Sequence, residues 1–204
     1  SFPTRRSSDL SLCRRLGQAY RNGFGVPRDF ARARTYFQIA AEAGDADGYF
    51  GLGELYASGS GVDRDTALAC TYLEVAVKAG HADATLMLAD LLMQGEGGAE
   101  AYERAKALYS LAVTLYTEEA LDGSSMAQYS LATMYMSGLG TGCDSEKAAL
   151  WFERARESFE QEALKGSVLA CSMLVMMYTY GNGVEQDLDL AEEWRMRGLE
   201  NMEQ

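Results

Sequence analysis

The chain is predicted to be all-α, an α-solenoid of about five helix-turn-helix repeats, and three observations predict it. A Gly-x-Gly signal recurs at Gly23/Gly25, Gly59/Gly61, Gly95/Gly97, Gly138/Gly140 and Gly181/Gly183, in steps of 36, 36, 43 and 43 residues. Self-similarity at such a period marks a stacked repeat array. Apolar residues keep helical spacing around each signal. Only two prolines occur in the 204 residues, Pro3 and Pro27, and the composition is rich in Ala, Leu, Glu and Met, which are good helix formers.

The elements follow in order when the five units are aligned on their first glycine. Leu16, Leu52, Leu88, Leu131 and Leu174 stand seven residues before it, and Tyr20, Tyr56, Leu92, Tyr135 and Tyr178 stand three before. These positions are four apart, so they share one face of a first helix, helix A. The glycine itself suits a left-handed helix end. Asp29, Asp65, Asp144 and Asp187 stand six residues after it, where a carboxylate can cap the start of a second helix, helix B. Ala33, Ala69, Ala105, Ala148 and Ala191 follow at ten residues, and Tyr36, Tyr72, Leu108, Trp151 and Trp194 at thirteen. The alanine permits close helix approach, and the larger residue is expected to fill the space beyond it. Gly44, Gly80, Gly123 and Gly166 close helix B.

Two units depart from the pattern. The third has Ala101 in place of the capping aspartate and Gly98 after its glycines, and the fourth has Thr141. Both turns are expected to be less well capped. The third and fourth units also carry seven extra residues before their closing glycine. Seven residues are nearly two turns, about 10 Å of helix. An extended helix B with its buried face in register is therefore expected, rather than a surface loop over 117–121 and 159–164. The fifth unit lacks the Ala-Ala-x-x-Gly ending and runs into a charged segment, as expected of a C-terminal cap.

Leu-Gly-x-x-Tyr-x-x-Gly-x-Gly-Val-x-x-Asp, then Ala-x-x-Tyr/Trp and Ala-Ala-x-x-Gly, resembles the Sel-1-like repeat. Leu16-Gly17, Tyr20, Gly23, Gly25, Val26, Asp29, Ala33, Tyr36, Ala40-Ala41 and Gly44 follow it nearly throughout. The resemblance covers the chain from Ser11 onward, in units of approximately 11–45, 46–81, 82–124, 125–167 and 168–204. It implies tetratricopeptide-like hairpins stacked into a right-handed superhelix that holds other proteins. It also makes His81, beside Gly80, a structural position. Residues 1–10, SFPTRRSSDL, match codon by codon the translation of a sequencing-library adapter. They are expected to be non-native, with the natural N-terminus, its helix start and earlier repeats missing.

Charge and chemistry narrow the function. The net charge of −12 disfavours nucleic acid. The one dense basic cluster, Arg14, Arg15, Arg21, Arg28, Arg32 and Arg34, reads as a solvated face of the first unit. No apolar run is long enough for a transmembrane helix. Cys13, Cys70, Cys143 and Cys171 form no C-x-x-C pair, which points to free thiols and mildly favours a reducing compartment. No catalytic, cofactor or metal site is predicted. The chain is expected to be a non-enzymatic scaffold or adaptor for a protein or peptide. Its binding surface would be helix A, at Glu54, Met87, Asp90, Thr133, Met173, Met176 and Tyr180, apolar toward the C-terminus. The alternative is a secreted cysteine-containing repeat protein with small-ligand binding or β-lactamase-like hydrolase activity, which the resemblance implies for a cysteine-rich branch of the family.

Overall fold

The computed structural model describes residues 7–95 and 98–202, all of whose regular structure is helical. The ten helices come in sequential pairs, α1 (Ser7–Asn22) with α2 (Phe30–Glu42), α3 (Ala46–Ser58) with α4 (Thr66–Lys78), α5 (Ala82–Gln94) with α6 (Gly98–Leu121), α7 (Ser125–Ser137) with α8 (Ser145–Leu164), and α9 (Val168–Tyr180) with α10 (Leu188–Met202). Odd-numbered helices are the predicted helices A and even-numbered ones helices B. The chain divides into two compact units, residues 1–112 and 113–204, with the division inside α6.

Each described Gly-x-Gly turn is built the same way. Gly59, Gly138 and Gly181 take left-handed φ values of 72°, 74° and 71° and return their N–H groups to Leu55, Met134 and Met177. The turn then closes on itself. The backbone N–H of Asp29, Asp65, Asp144 and Asp187 donates to the carbonyl of Tyr20, Tyr56, Tyr135 and Tyr178 at 2.8–3.0 Å. The same four carboxylates accept the N–H groups of Arg32, Leu68, Lys147 and Leu190 at 2.9–3.0 Å and so cap the B helices. The fourth turn is therefore fully capped, against expectation, because Thr141 replaces a valine that takes no part in the capping. The third does depart: Gly95 is extended, with φ −79° and ψ 167°, and Gly97 lies outside the described residues.

The core side chain expected at thirteen residues past the glycine stands one residue later in the first three units. Phe37, Leu73 and Tyr109, at fourteen, are buried there; in the fourth, Trp151 at thirteen and Phe152 at fourteen are both buried, and in the fifth Trp194 at thirteen is half-buried while Arg195 at fourteen is exposed. Tyr36 and Tyr72 are half-buried and instead stack on the helix-A tyrosines Tyr20 and Tyr56, with ring centroids 5.7 Å apart in both pairs. Both positions lie near the face of the buried alanine, three and four residues beyond it.

The lengthened units are helical throughout, with 24 residues in α6 and 20 in α8 against 13 in α2 and α4. Their additional residues bring their own core contacts. Tyr116 and Ala120 are buried in α6, and Phe159 and Ala163 in α8, continuing the faces begun by Ala105, Tyr109 and Ala112 and by Ala148, Phe152 and Ala155. With residues 113–119 or 156–162 removed, Ala112-Ala120-Leu121-Asp122-Gly123 and Ala155-Ala163-Leu164-Lys165-Gly166 become contiguous Ala-Ala-x-x-Gly endings. The extension is thus one heptad, close to two turns, and the neighbouring hairpin meets helix B further along. Gly61 lies against Phe30, whereas Gly183 lies against Phe152, seven aligned positions later on its own helix B.

Candidate functional site

The A helices of the first unit are charged, and most of their charges are paired within the chain. Arg14 on α1 donates to Asp47 on α3 at 2.6 Å, and Arg21 pairs with Glu54. His81 Nε2 stands 3.2 Å from the other Asp47 oxygen. His81 Nδ1 accepts the Ala84 N–H at 3.2 Å and so caps α5, and the ring packs on Phe50 with centroids 4.6 Å apart. An accepting Nδ1 fixes the proton of the neutral ring on Nε2, aimed at Asp47. The hydrogen bond from His81, then that from Arg14, holds the Asp47 carboxyl below its ordinary range. His81 is thus a helix cap, at the position taken by Asp45, Ser124 and Ser167 in the neighbouring units.

The sequence-predicted binding residues divide between the units. In the first, Glu54 is occupied by Arg21, and Asp90 accepts the Tyr109 hydroxyl at 2.6 Å. Burial, then that bond, pushes the Tyr109 phenol well above its usual range. Met87 packs, partly buried, against the cluster of Leu73, Leu88 and Leu91. Gly51, three residues before Glu54 on α3, is buried against Phe37. In the second unit, Thr133 bonds back to the Tyr129 carbonyl at 3.0 Å. Met173 and Met176 are half-buried and Tyr180 is 73% exposed.

Sequence reasoning missed Leu169, which is 52% exposed. It precedes Met173 by four residues, and Leu169, Met173, Met176 and Tyr180 make one continuous stripe at i, i+4, i+7 and i+11 along α9. The signal was present twelve residues before the glycine, where α7 carries Met126, 41% exposed. Asn182, in the turn after α9, donates to the Tyr129 hydroxyl on α7 at 3.0 Å and ties the two helices together. Neither α7 nor α9 contains a charged residue.

The Sel1 repeat profile matches residues 11–45, 46–81, 82–115, 125–158 and 168–194. The chain belongs to the Sel1 repeat family. A Sel1 repeat protein of Klebsiella pneumoniae subsp. pneumoniae shares the fold, with TM-score 0.55 at 24% identity over 95% of this chain and 87% of that one. A Sel1 repeat protein from Oxalobacter formigenes is 25% identical over 95% of this chain and 74% of its own, with TM-score 0.49. A protective antigen of uropathogenic Escherichia coli displaying an SLR fold is 25% identical with TM-score 0.45; the match covers 97% of this chain and 49% of the antigen. No curated protein matches the chain.

Further chemistry in this Sel1 repeat chain is sparse. Among the described residues no group of three or more His, Cys, Asp or Glu could hold a metal ion, and no helix is long and apolar enough to cross a membrane. The cysteines are unbonded, and lie in α1, in α4, in the fourth turn and in α9. Burial pushes the Cys70 and Cys171 thiols up, away from the thiolate a nucleophile requires.

Proposed function

We propose that this Sel1 repeat chain is a non-catalytic scaffold that binds a protein or peptide, with the α9 stripe as its docking strip. The observation that carries the reading is the exposure of Leu169 and Tyr180 at the two ends of one apolar helical face. The α9 core is made by Ala170, Cys171, Leu174, Met177 and Tyr178, so the exposed ends of the stripe, Leu169 and Tyr180, are additional to it. Methionine and tyrosine suit such a surface: the thioether adapts its shape, and the phenol offers a large ring with a polar tip. The engaged ring of the single histidine and the raised thiols support the non-catalytic part of the proposal. Selection of a random peptide library on the wild-type chain, followed by binding of the selected peptides to Leu169→Ser/Tyr180→Ser, tests it. Loss of binding with unchanged helical content is expected; undiminished binding overturns the docking strip.

A further inference from the structure

We infer that the partner segment is a cationic amphipathic helix, a reading that rests on the docking strip proposed above. Charge is strongly segregated in the second unit. Residues 113–204 hold six basic and sixteen acidic residues, so this unit carries −10 of the chain's −12. Yet α7 and α9 carry no charge, and every charged side chain among the described residues lies on α8, on α10, on the α6 segment or in the turns.

The basic side chains are largely spent at home. Lys147 pairs with Asp144, Arg156 with Glu153 and Glu160, and Arg195 with Glu192. Arg154 and Arg197 lie over the rings of Trp151 and Trp194, at 4.7 and 5.9 Å from their centroids. The surplus is carboxylate. Part of it borders the uncharged helices: Asp122 is exposed just ahead of α7, and Glu185 and Asp187 are exposed just after α9, while the sixth basic residue, Lys165, is exposed ahead of α9.

An uncharged Met/Leu/Tyr strip in a unit of net −10, with exposed carboxylates after its C-terminal end and the exposed Lys165 ahead of its N-terminal end, fits a ligand whose apolar helical face is bordered by Lys or Arg where it meets the Tyr180 end. The spacing of Leu169, Met173, Met176 and Tyr180 is that of a helix surface, which a second helix can meet ridge into groove. An acidic helix or an anionic lipid surface would be repelled by the same field.

The test uses the full chain and three synthetic helical peptides. They share one apolar face and carry Lys, Gln or Glu at every other position. Binding is measured by fluorescence anisotropy at low salt and at about 0.5 M salt, where exposed charges are screened. The Lys peptide is expected to bind about tenfold tighter than the Gln peptide at low salt, with the difference shrinking at high salt, and the Glu peptide weakest. Leu169→Ser/Tyr180→Ser, which leaves every charge in place, is expected to lose the Lys peptide. Equal binding of Lys and Gln peptides, both lost in the variant, overturns the charge inference and leaves the docking strip standing. A Lys peptide that binds the variant as well as the wild type overturns the docking strip, and absence of binding by all three overturns both.

Discussion

Single residues set the turns, and their tolerance differs in a way that can be measured. Gly25 and Gly61 occupy the same turn position with φ of 70° and 72°. A Cβ at Gly25 meets nothing within 4 Å, whereas at Gly61 it would stand 2.4 Å from the Phe30 Cβ. Gly25→Ala should therefore cost only the left-handed strain, about 1 kcal/mol. Gly61→Ala should cost about 2–3 kcal/mol, because packing is disturbed as well. Urea denaturation of the two variants side by side checks the difference. Asp47 supplies a pH prediction. Its folded carboxyl is held below its ordinary value by His81 and Arg14, so its stabilisation is present above the unfolded pKa and lost as pH falls through the folded one. Asp47→Asn should melt below the wild type at neutral pH, and the gap should close in acid below about pH 4. Melting curves across that range measure it. The turns were legible at this scale because glycine and aspartate have narrow backbone roles. The pairing of Asp47 with residues 33 and 34 positions away was not, since nothing local in a sequence records a contact between successive helices.

At the scale of elements, the added heptad in α8 makes a length rule. Seven residues turn a helix by almost whole turns, whereas five leave the remainder rotated by about 140°. Deleting residues 156–162 should preserve helical content and a cooperative melt, because it restores the Ala-Ala-x-x-Gly ending. Deleting 157–161 should abolish the cooperative transition, by carrying Ala163 away from the face of Phe152. Circular dichroism during heating separates the two outcomes. The extension was legible because its composition stays helical and its length is near two turns. The one-residue misplacement of the core ring shows where periodicity runs out. Tyr36 and Phe37 are both large and apolar, and spacings of three and four residues both belong to one face. Only packing against Gly51 and Leu52 selects Phe37. The same limit concealed Leu169, since one helix holds both core and exposed apolar positions, as Leu174 and Leu169 are on α9.

Across the whole molecule, charge and thiols give the remaining predictions. With so much like charge on residues 113–204, moderate salt should raise the melting temperature by screening self-repulsion; a falling melting temperature would contradict this. Titration of the denatured, unreduced chain should find four thiols, the number of unbonded cysteines; two disulfides would instead favour the secreted, ligand-binding alternative. The array itself was readable from spacing alone, because stacked repeats need only neighbour contacts. The partner was not, because recognition depends on which charges are already spent within the fold. The sliding contact of the Gly-x-Gly turn has a further consequence for anyone recombining such modules. Gly61 meets Phe30 and Gly183 meets Phe152 only because the preceding B helices differ by one heptad. Whether a transplanted hairpin seats correctly is therefore decided by the length of the host's upstream neighbour and not by the hairpin's own sequence.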